Sequence, residues 1–406
     1  MSKHILEALA ATNPDCEIWW DSSPLVYEGW AKTTVESAPP GKRKAWAEQL
    51  KRMMDRDELA RTGKMGFRGV TTNPPLSLQA IEADPKFWRQ RIQEIEQEER
   101  GLYVELLFWR TYLDIVRRGA AMVHPVWRAS GGRYGFLSGQ VDPRFVTDGE
   151  KMLAQGLEIS SIAPNVMVKI PGSKEGYEVI EQLTARGIST NNTTAFTVPQ
   201  YVACMQAVSR GLTRAKRAGV DLSTWRSVIT HMSARLGNLG DLKTQANARG
   251  IDLSPEDILW AETAVMKRAY RYGRSNGHPS KMLQCSMRVT RNPDGTASSW
   301  HIEKLAGGDF VYTCPPGYIR QLMEGEDGFA PFDAHAIDED VPAPVIEKLL
   351  RIPYFRQAYE FDGMRPEEFV GFGAFATTAA EFAAATRKTV DFVAQVHDGA
   401  GSARAA

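Results

Sequence analysis

Short apolar runs alternating with longer amphipathic stretches constrain this chain more than any other feature. Eight such runs stand at 17–21, 69–72, 135–141, 166–170, 188–193, 227–230, 282–286 and 310–313. A run of four or five residues bounded by turn formers is too short for a buried helix. It suits a parallel strand covered on both faces. The stretches between the runs carry helix signals. Tyr177, Ile180 and Leu183 share one face and Gly187 supplies a stop; Val202, Met205, Val208 and Leu212 keep a similar spacing behind Pro199. Ser254-Pro255-Glu256-Asp257 reads as a helix start, with the helix expected to end near Gly273, and Thr378 with Glu381 reads as a capping box.

Strands alternating with helices eight times predict an α/β chain with a single (β/α)8 (TIM) barrel. Periodicity alone also allows a doubly wound open sheet, but no Gly-rich nucleotide fingerprint follows the first run. Residues 1–406 are read as one domain with two insertions, at about 28–65 and 324–368. Within the second, 334–341 is expected to be a surface loop, and the small, polar tail 398–406 to be frayed.

Composition narrows the class of partner. The 406 residues are 43% hydrophobic and 24% charged with no net charge, which suits a globular core and offers neither nucleic acid nor membrane a global surface. A negatively charged substrate would need a local arginine cluster. Cys16, Cys204, Cys285 and Cys314 lack paired spacing, and the seven histidines lack ligand spacing, so no metal is expected and His231 is read as a neighbour that tunes the pocket. The start Met1-Ser-Lys-His-Ile carries no apolar leader, and a cytoplasmic location is expected.

One run is anomalous. Val166-Met-Val-Lys169-Ile170 carries an amine inside an otherwise apolar strand and stops at Pro171-Gly172. A lysine whose head reaches solvent is the ordinary reading. Burial, however, disfavours the ammonium and leaves a neutral nucleophile. In a barrel the carboxyl ends of the strands share one mouth, and here they carry a consistent set. Asp21 ends the first, Asn73 follows the second, Gln140 the third and Lys169 the fourth. Asn191 and Thr193 lie on the fifth, Thr230 and then Arg235 on and after the sixth, Ser286 and Arg288 on and after the seventh. One amine, one carboxylate, several amides and hydroxyls and two arginines are the parts needed to hold a polyhydroxylated ketone phosphate beside a nucleophile.

These residues also carry a resemblance. Gly69-Val-Thr-Thr-Asn-Pro-Pro-Leu76 resembles the Gly-x-Thr-Thr-Asn-Pro-Ser-Leu signature of transaldolases. The lysine strand with Glu175-Gly176, then Gly187-Ile-Ser-Thr-Asn-Asn-Thr193, is similar to that family's Schiff-base segment and next strand. Thr230-x-x-x-x-Arg235, Cys285-Ser-Met-Arg288, Leu305-Ala-Gly-Gly-Asp309 and Phe372-Gly-Ala-Phe375 continue the likeness in order along almost the whole chain. The resemblance implies that Lys169 forms an imine with a ketose phosphate and that Asp21 is the general acid/base. It implies that Asn73 and Asn191 hold the dihydroxyacetone unit, with Thr230 standing where the family usually has a donor-binding serine. Thr193 would position a water, and Arg235, Ser286 and Arg288 would grip the phosphate. No cofactor is implied, because the lysine itself supplies the electron sink.

The chain departs from the family pattern at Gln140, where transaldolases carry a glutamate that works through the water. An amide can orient a water but cannot take its proton at neutral pH. Glutamine there resembles the fructose-6-phosphate aldolase branch, yet that branch's tyrosine on the sixth strand is replaced by Met232. Three readings remain open: transfer of a dihydroxyacetone unit between sugar phosphates, simple aldol cleavage or condensation in a specialised sugar pathway, and a non-catalytic sugar-phosphate-binding barrel. The last helix can cover its own barrel or cross to a second copy in a homodimer.

Overall fold

The computed structural model describes residues 4–55, 57 and 66–404, with side chains as far as residue 398. Its centre is a closed barrel of eight parallel strands: β1 (Glu17–Asp21), β2 (Phe67–Thr71), β3 (Phe136–Gln140), β4 (Val166–Pro171), β5 (Thr190–Ala195), β6 (Ser227–Met232), β7 (Lys281–Cys285) and β10 (Val311–Cys314). Between β7 and β10 a short antiparallel pair, β8 (Thr290–Arg291) and β9 (Ala297–Ser298), makes a separate ribbon. All eight apolar runs are barrel strands, with ends within two residues of those read from sequence. β1 closes the barrel between β2 and β10.

Strand alternation sorts side chains into two layers. On β4, Val168 faces the helix Gly149–Ser160, where its methyl approaches Gly156. Lys169, one residue on, therefore points into the barrel. On β3, Gly139 faces Ile159 and Val116 in the helix layer, which turns Ser138 and Gln140 inward. Gly69 on β2 is required by packing: a Cβ there would stand 2.4 Å from the buried indole of Trp19.

The amino ends of the strands form the stabilising end of the barrel. Glu17, at the start of β1, is buried and accepts from Arg226, from Lys281 at 2.8 Å and from the Trp19 indole at 3.0 Å. Burial alone would raise its pKa; Arg226 and Lys281 outweigh it and hold the carboxyl at about 2.

Both insertions are folded, and they touch. The first holds the helices Tyr27–Glu36 and Arg43–Met53, while its residues 56 and 58–65 lie outside the described ones. Glu326 of the second accepts from Gln49 at 3.2 Å and pairs with Lys42 at 3.1 Å. The segment 334–341 is, as expected, largely exposed, and it is also pinned from beneath. Lys267, 2% exposed, donates to the carbonyls of Ala336 (2.6 Å), Ile337 (3.1 Å) and Glu339 (2.7 Å), and Ala336 and Ile337 are buried.

The last helix runs Gly373–Arg404 and starts ahead of Thr378. Thr378 and Glu381 are thus helix-interior residues rather than a capping box, and both face Arg235. The helix lies over Pro74–Ala83, Pro85–Glu98 and Val104–Ala129 of its own chain, burying Phe382, Val393 and Val396. The tail from 398 continues the helix backbone to Arg404; residues 405–406 lie outside the described ones. Among the described residues no helix is long and apolar enough to cross a membrane.

Replacing Glu17 by Ala takes the shared carboxylate from the half-buried Arg226 and Lys281, which keep only backbone carbonyls as hydrogen-bond partners among the described residues, and is expected to destabilise the protein by at most about 3–5 kcal/mol in chemical denaturation. The sign follows from a depressed folded pKa: the contribution is complete above the unfolded carboxyl value and is lost as pH falls through about 2. Wild-type stability should therefore fall more steeply between roughly pH 5 and pH 2 than that of Glu17→Gln.

Candidate active site

The opposite mouth collects the polar residues singled out above. Lys169 is 5% exposed, and its Nζ donates to the Thr72 carbonyl at 3.1 Å, across the barrel from β4 to the end of β2. Burial pushes the amine's pKa down, and the Asp21 carboxylate and the Cys285 thiol only partly oppose it. Asp21, half-buried at the end of β1, accepts from Thr71 Oγ1 at 2.6 Å. Enclosure raises its pKa, against the pull of Lys169, the Thr71 hydroxyl and Arg235. The two groups thus shift towards each other, an amine made easier to neutralise beside a carboxyl made easier to protonate.

A chain of side-chain hydrogen bonds crosses the lumen around them. Thr230 Oγ1 on β6 donates to Asn191 Oδ1 at 2.8 Å, and Asn191 Nδ2 donates to Ser138 Oγ on β3 at 3.0 Å. This orders Asn191 beside Lys169, its register partner. Gln140 is Lys169's partner on the other side. Gln140 Oε1 and Thr193 Oγ1 are both buried without a protein partner among the described residues. Unpaired buried polar atoms are costly, and at a reaction mouth they are what a water or a substrate hydroxyl would satisfy.

Two backbone positions at the strand ends are strained. Thr194 (φ 51°) and Ser286 (φ 57°) take the left-handed conformation that non-glycine residues avoid. Thr194 is β-branched, which makes the cost larger, on the order of 1–3 kcal/mol. It is held by Gly172 N–H bonding its Oγ1 at 3.3 Å and by Gln200 Nε2 bonding its carbonyl at 3.3 Å. The turn interrupts the β5–β6 register just beyond Asn192.

The remaining residues do not all stand free. Asn73 caps the helix Pro74–Ala83, its Oδ1 accepting from Leu76 N–H at 2.9 Å, so its structural duty is visible and its amide nitrogen is what remains for a ligand. Arg235, on the short helix Ser233–Asn238, is paired with Glu381 at 2.6 Å and donates to Thr378 at 3.2 Å. Arg288 is paired at 2.5 Å with Glu262, which also accepts from His301 at 2.8 Å. His231 is not a pocket residue. It follows the inward Thr230 and so faces the helix layer, where Nδ1 meets Tyr201 Oη at 2.5 Å and Nε2 meets the Glu262 carbonyl at 2.9 Å. Burial holds its pKa down at about 4.

Sequence patterns gave no sign of Tyr112 or Glu262 and marked Glu381 only as part of a capping box; all three act from helices. Tyr112 Oη donates to the Gln140 carbonyl and accepts from its N–H, both at 2.7 Å, satisfying a peptide that β2 is too short to reach. Among the described residues no group of three or more His, Cys, Asp or Glu could hold a metal ion.

Comparison with known proteins adds a family. Residues 53–357 match the family model described as Transaldolase/Fructose-6-phosphate aldolase. The chain is 36% identical to Transaldolase 1 of Streptomyces avermitilis over 275 residues, 64% of this chain and 71% of that protein. It is 35% identical to the transaldolase of Mycolicibacterium paratuberculosis over 269 residues, 63% and 71% of the two chains. Against the transaldolase of Mycobacterium ulcerans the match is 35% over 170 residues, 41% of this chain and only 45% of that one. Asp21 and the last helix lie outside the family-matched span.

Tyr112→Phe leaves the Gln140 N–H and C=O buried and unpaired. It is expected to cost about 1–3 kcal/mol in chemical denaturation. In hydrogen exchange the Gln140 amide should lose protection while the amides of β6 keep theirs.

Proposed function

This chain belongs to the transaldolase/fructose-6-phosphate aldolase family, and we propose that it transfers a dihydroxyacetone unit from a ketose phosphate to an aldose through an imine on Lys169. The observation that carries this reading is the enclosed amine of Lys169, its pKa pushed down by burial, within electrostatic reach of the Asp21 carboxyl. The neutral amine attacks the C2 carbonyl, and loss of water from the carbinolamine gives the protonated imine. Asp21 takes the C4 hydroxyl proton as the C3–C4 bond breaks. The bond's electron pair flows into the iminium, and an aldehyde and an enamine result. Attack of the enamine on an acceptor aldehyde, with Asp21 returning the proton, reverses the sequence, and hydrolysis frees the lysine.

In this reading Asn191, held by Thr230 and Ser138, hydrogen-bonds the hydroxyls of the three-carbon unit, and Asn73, its oxygen committed to Leu76 N–H, offers its amide hydrogens. Thr193 and Gln140 contribute the two unpaired oxygens between which the eliminated water is held. Arg235, Arg288 and Ser286 form the phosphate end, guanidinium forks matching phosphate oxygens. Gln140 favours a second reading, cleavage or condensation without transfer, because an amide cannot deprotonate the water that releases the imine. The location consistent with such an enzyme is the cytoplasm.

Borohydride added with fructose 6-phosphate is expected to leave a reduced adduct on the peptide containing Lys169, and none in Lys169→Met. Asp21→Asn should still trap the imine while turnover falls by roughly 10²–10⁴-fold. Erythrose 4-phosphate separates the two readings: transfer yields a seven-carbon ketose phosphate, and cleavage alone does not. A folded protein that binds ketose phosphates but is never trapped would point to the non-catalytic barrel.

A further inference from the structure

The two arginines of the phosphate end are both already paired with carboxylates, and the two pairs differ in kind. Glu262, partner of Arg288, is fully buried and also holds His301. Its Oε1 fills the space left by Gly237, where a Cβ would stand at 2.3 Å. That carboxylate is packed in place, so it anchors Arg288. Glu381, partner of Arg235, has a side chain 47% exposed on the outer part of the last helix. The Arg235 side chain, 26% exposed, bridges to that helix through Glu381, Thr378 and the face of Phe382 at 5.7 Å from its centroid. The charge of Arg235 also acts on the Asp21 carboxyl, so the two lie within electrostatic range of each other.

We propose that Glu381 is a specificity-determining residue whose carboxylate stands in for the substrate's phosphate on Arg235 and is exchanged for it on binding. The inference rests on the phosphate-binding reading of Arg235 given above. A carboxylate and a phosphate compete for the same guanidinium edge. An exposed pair is weak, so the exchange costs little for a phosphate dianion. A weaker anion, or a neutral sugar, gains nothing from displacing Glu381. Arg288 cannot make the same exchange, because removing it would strand a buried carboxylate. The division of labour is therefore one anchored arginine and one that changes partners. The exchange also couples occupancy of the phosphate end to the contact between Arg235 and the last helix.

The test compares wild type with Glu381→Gln, using fructose 6-phosphate as substrate, inorganic phosphate as competitor and unphosphorylated fructose as control. The expected result is a fall of about two- to fivefold in both the KM for fructose 6-phosphate and the inhibition constant of phosphate. Values of kcat and of the KM for fructose should stay unchanged. A rise in the KM for fructose 6-phosphate would show that Glu381 only positions Arg235 for the substrate, and would overturn the inference; so would no change. Glu381→Asp, which keeps the charge, should stay close to wild type, and a variant behaving like Glu381→Gln there would count against the charge argument. Arg235→Met separates the two levels. If phosphate inhibits wild type and Arg235→Met weakens that inhibition, the phosphate reading stands and Glu381→Gln decides the inference alone. If Arg235→Met changes nothing, the phosphate reading itself fails.

Discussion

The structure depends on keeping one amine out of water. Lys169 sits on a strand whose outward residues are fully committed to the helix layer, so its side chain has only the barrel lumen to enter. Inside, its one hydrogen bond among the described residues goes to a backbone carbonyl, Thr72, and the carboxyl that acts on it is Asp21. A carbonyl and one partly solvated carboxylate offer an ammonium far less than water does, and the balance moves towards the neutral amine. The ring of neighbours follows from that choice. Asn191, Thr230 and Ser138 satisfy one another, which fills the lumen with hydrogen-bonded groups without placing a second charge against the amine.

The two ends of the barrel have opposite character. At the amino end Glu17 is surrounded by matched donors and its charge is stabilised. At the carboxyl end Thr194 and Ser286 are strained, and Gln140, Thr193 and Ser22, which follows Asp21, carry buried oxygens without partners among the described residues. The amino end is thus anchored by a matched charge, and the mouth combines strained backbone with open bonding capacity. The last helix joins the two roles, since the face that buries Phe382 and Val393 also brings Glu381 to Arg235.

Most of the barrel was legible because each strand is a short apolar run, and the mouth was legible because polar residues at strand ends must share it. Asp21, Gln140, Lys169, Asn191 and Thr230 are brought together for that reason. His231 could have been set aside from parity alone: it neighbours Thr230 and must face the other way. What stayed hidden depends on helix packing. Tyr112 reaches the Gln140 peptide from the middle of the long helix Val104–Ala129, and nothing in its spacing distinguishes it from a core tyrosine. Lys267 looks like a surface lysine of an amphipathic helix until three carbonyls of the second insertion close on it. Thr378 and Glu381 match a capping pattern, yet the helix begins earlier because Gly373–Phe375 pack against the barrel and extend it.

The central claim is that enclosure makes the Lys169 amine easier to deprotonate than a solvent-exposed lysine. Titration of the protein carrying [ε-13C]lysine, followed by NMR and assigned with Lys169→Met, tests it without any substrate. The expected result is two lysines titrating below the usual value near 10.4, Lys267, which burial lowers to about 8, and a second that disappears in Lys169→Met. In Asp21→Asn that resonance should titrate lower still, since the carboxylate opposes the shift. If Lys169 titrates with the solvent-exposed lysines, its enclosure does not make it a nucleophile, and the account of this site is wrong.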